Sequence, residues 1–301
     1  MPSPSSSPRS VPAPHPDPYV RVINAFTIDV EEWFHVCGVP ALAEPSAWDA
    51  LESRVVDDTR RTLDLLDRCG VRATCFVVGW VAERHPRLVA SIRDAGHEIG
   101  SHGQWHRRVY ELDPDEFTRD LRLANAALIA AGVPRPTQFR APEWSINRRA
   151  PWALERLAAE GFTVDSSRAP LRVVGDPMYP DTPHTIATPR GAIVEVPPAV
   201  ERRLGQRTPF GGGWGLRLAR PGRVVGEIAR RNARGEPVTC WIHPWELDPD
   251  PPRMKFPAGV AFAHYFRLSG WTSRLETILR GAPFGTMSEM LAQLPSPPAP
   301  S

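Results

Sequence analysis

An α/β architecture on a parallel sheet, most simply a (β/α) barrel, is what the patterning of this chain predicts, and three observations predict it. Short β-branched and aromatic runs alternate with segments whose apolar residues recur at helical spacing. Glycines punctuate the ends of the helical segments. Successive strand-like runs finish in polar, chemically capable side chains, which is how barrel strands end on the face that carries their chemistry.

The elements follow in order. "VINAFTID" reads as a strand, and 46–69 as a helix on Leu51, Val55, Val56, Leu63 and Leu66, stopped by Gly70. "VRATCFVVG" is a buried strand. A helical stretch from Trp80 to Ala95 follows, with Pro86 opening the helix proper at its first turn and Gly96 as cap. "HEIGSH" is a short strand. Asp113, Pro114 and Glu116 form a capping-box start for a helix running to Gly132. "TQFRAP", "FTVDSS", "AIVEVPP" and "VTCWIH" are further strands, with helices at 150–160 and 221–234 among them. Segments 272–280 and 286–294 read as short amphipathic helices.

With 301 residues, 42% of them hydrophobic and 23% charged, the chain has ample material for one large domain. Residues 1–18 are Pro/Ser-rich and expected to be disordered, 19–294 to form a single domain, and 295–301 to be a loose tail. A net charge of +2 with interleaved signs argues against a nucleic-acid footprint. Cys37, Cys69, Cys75 and Cys240 show neither CxxC spacing nor a disulfide framework. The start lacks a secretory apolar region and no stretch approaches a membrane span, so a cytoplasmic location without a membrane span is the expectation.

The strand ends carry Asp29 and Glu31, His102, Arg140, Asp165, Glu195 and His243. A hydrophobic strand that finishes in Asp29, Glu31 and Glu32 needs something to compensate its acids. In "SHGQWHRRV", His102 and His106 are four apart and can present two imidazoles to one ion, although Gly103 excludes the HExxH pattern. Two histidines plus a carboxylate from Asp29, Glu31 or Glu32 would form an open divalent-cation site.

"FTIDVEEWFHV", "SHGQWHRRV", "FRAPEWSI", "VDSS", "VEVPP" and "WIHPWELDPDPPR" resemble, in order, the motifs of polysaccharide deacetylases, the NodB-homology or carbohydrate esterase four family. The resemblance is closest to a subgroup associated with exosortase-linked exopolysaccharide loci and extends over about residues 19–294, including "GGGWGLRL" and "FAHYFRLSGWTSRLETIL". It implies a distorted (β/α) barrel with fewer than eight strands. It implies Asp29 as catalytic base, Arg140 as its orienting group, His243 as catalytic acid and Asp165 as the partner of that histidine, with Glu195 the alternative partner. It implies Glu31, His102 and His106 as ligands of one divalent metal, zinc being the expected ion, with Glu32 the alternative third ligand. The implied reaction removes N-acetyl groups from the amino sugars of an exopolysaccharide and releases acetate. The competing readings are a metal-dependent amidohydrolase of cyclic ureides or imides, and an inactive carbohydrate-binding member.

Overall fold

The first strand, β1 (Asn24–Val30), is buried at every residue and organises the sheet around it. The computed structural model describes residues 22–172, 174–203 and 205–294; the expected tails 1–18 and 295–301 lie outside the described residues. In chain order the following elements are α1 (Val55–Cys69), β2 (Thr74–Val77), α2 (Gly79–Arg84), α3 (Pro86–Asp94), β3 (Glu98–Ser101) and α4 (Pro114–Ala130). Next come β4 (Gln138–Phe139), α5 (Ala153–Ala159), β5 (Val164–Asp165), β6 (His184–Thr188), β7 (Gly191–Glu195), β8 (Val200–Arg203) and β9 (Gln206–Pro209). The chain continues through α6 (Gly213–Leu218), α7 (Pro221–Asn232), β10 (Thr239–Ile242), α8 (Ala258–Tyr265), α9 (Trp271–Gly281), β11 (Phe284–Gly285) and α10 (Met287–Leu291).

Eight strands run parallel, seven in the order β10-β1-β2-β3-β4-β5-β7 and the two-residue β11 beside β1, with β6 antiparallel on the edge. The sheet does not close by a ladder among the described residues. Its ends are bridged instead by single hydrogen bonds: Ala199 N–H donates to Thr239 O (3.1 Å), and Trp241 N–H donates to Gly211 O (2.8 Å). This is the distorted barrel that the resemblance implied; with the two-residue β11 counted, eight strands run parallel.

Alternation along β1 sets the layers, because residues two apart share a face. Phe26, Ile28 and Val30 join Leu65, Leu66 and Ile278 in the main apolar cluster. On the other face, Ala25 meets Phe76, Val196, Met287 and Met290, an apolar base to the barrel. Thr27 and Asp29 continue that face upward, and Glu31 follows just past the strand. The polar end of the interior is therefore the C-terminal end of the strands.

Two elements differ from the sequence reading. The helix expected from 46 begins only at Val55, after a 3-10 turn over Pro45–Ala50. The intervening backbone has other work: Glu52 O accepts Trp33 Nε1–H (2.9 Å), while Arg54 N–H and Ser53 Oγ–H donate to Glu32. The helix expected over 80–95 is broken at His85, with Pro86 opening α3. The hairpins β6–β7 and β8–β9 are only partly prefigured, since β6, β8 and β9 were not expected.

The α4 start is a complete capping box, with Asp113 accepting from the N–H groups of Asp115 (2.9 Å) and Glu116 (2.7 Å) and Glu116 accepting from Asp113 N–H (3.0 Å). Asp113→Ala should lower stability by about 1 kcal/mol, the usual cost of losing such a cap, read as a shift in denaturant midpoint at unchanged slope.

Candidate metal centre and active site

The two histidines converge by a turn rather than by helical spacing. Gly103 has φ +74° and His106 φ +47°, both left-handed, so the chain folds back between them. Asp120 of α4 fixes this turn by accepting from Gln104 N–H (2.8 Å) and Trp105 N–H (3.3 Å). A Cβ at Gly103 would lie 2.8 Å from Asp120 Oδ2, so glycine is required there on both counts. Burial pushes the Asp120 carboxyl up to about 6, against the pull of its two backbone donors.

Donor atoms of Glu31, His102 and His106 all lie within 4.8 Å of one another, and all three residues are buried. Glu31 Oε2 is 2.6 Å from His106 Nε2 and 3.6 Å from His102 Nε2, yet it accepts no hydrogen bond. His102 Nδ1 meets the Arg140 carbonyl oxygen at 2.7 Å, so Nδ1 carries the proton and Nε2 keeps its lone pair for a ligand. Lone pairs of three donors thus face one small space. The set fits a divalent cation of the kind that accepts two imidazoles and one carboxylate. Burial alone would raise the Glu31 carboxyl, but His106 and His243 outweigh it and hold it well below the ordinary value. Conversely, Glu31 holds His106 well above the imidazole range despite burial, the same field that would favour a bound cation.

Glu32, the alternative ligand, turns the other way. Its carboxylate accepts from Ser53 Oγ–H and Arg54 N–H at the start of α1, so it serves as a capping carboxylate for that helix. One residue of strand period separates the two roles.

Asp29 lies beneath this cluster. Arg140, fully buried, donates from one terminal nitrogen to Asp29 Oδ1 (2.7 Å) and to Thr27 Oγ1 (2.8 Å), and from the other to Ser166 Oγ (3.0 Å). Its guanidinium sits over the rings of Phe76 (4.4 Å) and Trp144 (4.6 Å). The Trp144 position depends on two consecutive left-handed residues, Glu143 and Trp144, held by the Arg108–Glu143 ion pair (2.7 Å).

His243 stands on the far side, with Nε2 3.5 Å from Glu31 Oε1. Its expected partner requires correction. Nδ1 pairs with Glu246 Oε1 at 2.9 Å, and neither Asp165 nor Glu195 hydrogen-bonds to it. Asp165 and Glu195 are register partners on adjacent strands β5 and β7, and one oxygen of each, Oδ2 and Oε2, is buried without a hydrogen-bond partner. Burial raises both carboxyls, and the neighbouring Asp165 charge adds to it at Glu195, which stands well above its ordinary value.

Sequence reasoning missed Glu246 and Arg217. Glu246 lies in the acid-rich stretch "ELDPDPP", yet His-Pro-x-Glu has the spacing of a capping box, and Glu246 does accept His243 N–H (3.1 Å). Arg217 of α6 forms a buried ion pair with Glu246 (2.9 Å) and also satisfies the carbonyl oxygens of Ala263, His264 and Phe266 around the end of α8. Against burial, Arg217 and His243 keep Glu246 below the ordinary carboxylate value, and Glu31 and Glu246 keep His243 above the imidazole one. Trp245 stacks on His243 (4.7 Å, 16°) and His264 stacks on Trp245 (4.0 Å, 15°), a three-ring column that fixes the imidazole plane.

Residues 47–162 match the family described as polysaccharide deacetylase, and 166–292 match a domain of unknown function, DUF3473. The chain carries a polysaccharide deacetylase domain. Over 109 residues it is 34% identical to the peptidoglycan deacetylase-like protein FGM2 of Gibberella zeae, covering 36% of this chain and 31% of that protein. Over 89 residues it is 33% identical to a peptidoglycan-N-acetylglucosamine deacetylase of Bacillus cereus, covering 30% of this chain and 41% of that protein. The match thus spans well under half the length of either relative. A Mycobacterium smegmatis crystal structure, described provisionally as a polysaccharide deacetylase, shares the fold at TM-score 0.61 and 23% identity over 97% of both chains. Among the described residues no helix is long and apolar enough to cross a membrane.

Two outcomes are expected. Glu31→Gln and His102→Ala should lose bound metal, whereas Glu32→Gln should retain it, read by elemental analysis of the purified proteins. Glu195 has a raised folded-state value, so its contribution to stability falls as pH rises from the unfolded carboxylate range toward that value. Glu195→Gln keeps the donor and removes the titration; its denaturation midpoint should exceed that of the parent at pH 8 and equal it near pH 4.

Proposed function

We propose that this protein is a metal-dependent hydrolase that removes N-acetyl groups from the amino sugars of an exopolysaccharide and releases acetate, with zinc as its ion. The observation that carries this reading is the placement of two differently equipped proton carriers, Asp29 and His243, on either side of Glu31, His102 and His106.

Amide hydrolysis must activate water, stabilise charge on the acyl oxygen and protonate a poor leaving group. A divalent cation held by Glu31, His102 and His106 would supply Lewis-acid polarisation and acidify water. Asp29 is equipped to take the proton of the attacking water, because the ion pair with the Arg140 guanidinium at 2.7 Å fixes its rotamer. His243 is equipped to deliver a proton to the departing nitrogen. Glu246 stabilises the imidazolium and orients Nε2 toward the site, and the Arg217 pairing keeps Glu246 from taking that proton itself. Asp165 and Glu195 have no part in this step and instead support the strands beside Arg140.

Cavities on both sides of His106 share His35, Val36 and His106 in their walls. Room on two sides supports an extended substrate over a small cyclic ureide. The intact set of Asp29, Arg140 and His243 supports an active enzyme over a binding protein.

The test is acetate release from N-acetylated oligosaccharides before chelation, after chelation and after metal add-back. Loss on chelation with recovery on add-back is expected, and absence of release from the metal-loaded protein would refute the reading. His243→Ala should reduce kcat about 10²- to 10⁴-fold with metal content unchanged. Glu246→Gln should reduce kcat about tenfold or more with KM little altered.

A further inference from the structure

The two cavities beside the metal cluster differ in chemistry. One, of about 470 Å³, is lined by Trp48, Trp105, Arg107, Glu44 and Glu111, a mixture of rings and charged groups. The other, of about 310 Å³, runs from Asp29, Glu31 and His243 to a wall of four tryptophans and the aliphatic side chains of Leu171, Val174, Ala199, Val260 and Ala263. Its charged side chains beyond the cluster are engaged elsewhere: Glu143 with Arg108, and Arg217 with Glu246. A few indole N–H groups and His264 Nε2, which has no hydrogen-bond partner, are what stays polar. A buried sugar hydroxyl without a partner is penalised, so this wall is ill-suited to a pyranose. It suits a hydrocarbon.

We propose, on the basis of the amide-hydrolase reading above, that this second cavity receives an N-acyl chain longer than acetyl, roughly four to eight carbons, while the sugar lies in the first cavity across His106. The volumes favour it. A methyl group is comparable with a water molecule, whose share of liquid volume is about 30 Å³, so acetyl would leave most of the cavity empty. The mouth continues the theme: Trp214, 36% exposed, and Phe262, 46% exposed, pair at 6.0 Å between α6 and α8. The backbone is shaped to open this space. Gly212 and Gly213 lie against Trp241, and a Cβ on Gly212 would come within 2.3 Å of that indole.

The reaction stays balanced with water as the only co-reactant. The water oxygen bonds to the acyl carbon, the C–N bond breaks with its electron pair kept on nitrogen, and the nitrogen takes a proton. The products are a fatty carboxylate and a free amino sugar, with no change of oxidation state.

The experiment compares N-acetyl, N-butyryl and N-hexanoyl derivatives of one amino-sugar oligosaccharide with the metal-loaded protein. Each buried methylene is worth roughly fourfold in transition-state binding, so kcat/KM for hexanoyl should exceed that for acetyl by about tenfold or more. Val174→Phe and Val260→Phe fill the cavity from separate walls, at half-buried positions. Each should lower the hexanoyl-to-acetyl ratio about tenfold. Independently of turnover, N-hexanoylglucosamine should quench indole fluorescence of the metal-free protein at about tenfold lower concentration than N-acetylglucosamine. Release of acetate but not hexanoate would overturn the inference and leave the deacetylase reading intact. Release of neither acid would overturn both. Hexanoate release with a ratio unmoved by both folded variants would also overturn it, because the chain would then lie elsewhere.

Discussion

A guanidinium with no exposure to water, at the centre of a barrel, is the constraint on which this site rests. Arg140 makes it tolerable by spending its donors on Asp29, Thr27 and Ser166 and its faces on Phe76 and Trp144. Removing either partner of such a buried pair typically costs about 3–5 kcal/mol, since the surviving charge is stranded. The backbone of the same residue holds His102 through its carbonyl oxygen. The Asp29 rotamer, the His102 tautomer and the barrel interior are therefore set by one residue just past a two-residue strand. β4 can be so short because its neighbours supply the rest of the order.

The second half of the site has the same logic with different parts. Glu246 faces His243 on one oxygen and Arg217 on the other, so two cations share one carboxylate. Arg217 comes from the region outside the deacetylase match, 166–292, as does His264 in the ring column. That region also supplies β10, which pairs with β1. The stretch matching the deacetylases and the stretch matching the domain of unknown function are thus interleaved around one cavity, and neither builds it alone.

Much of this was legible in the residues. The alternation of β-branched runs with helical spacing revealed the parallel sheet, because period 2 and period 3.6 are hard to confuse over long segments. The gathering of Asp29, Glu31, His102, Arg140 and His243 was legible, since a parallel barrel brings its strand ends together. What stayed hidden was pairing. Asp165 and Glu195 look like candidate partners for His243 in a list of strand ends, yet register opposes them to each other. Glu246 lies only three residues from His243, and its role depends on a turn that strand patterning does not describe. The Glu31–Glu32 choice was open because the strand's period ends there, and only the path of residues 52–54 shows where Glu32 goes. The late start of α1 has the same origin, as backbone diverted to Glu32 and Trp33 cannot also be helix.

The ring of strands is knit by a ladder everywhere except between Ala199 and β10, where lone amides span the gap. A seam of this kind can widen or narrow without sacrificing a register of paired strands, because nothing periodic crosses it. It also runs beside the greasy wall of the second cavity. Asp29 and Arg140, by contrast, sit amid the continuous ladder, on β1 and just past β4. Evolution or an engineer could recut the pocket for a differently sized guest by editing the 199–211 connection, leaving the Asp29–Arg140 pair within its ladder.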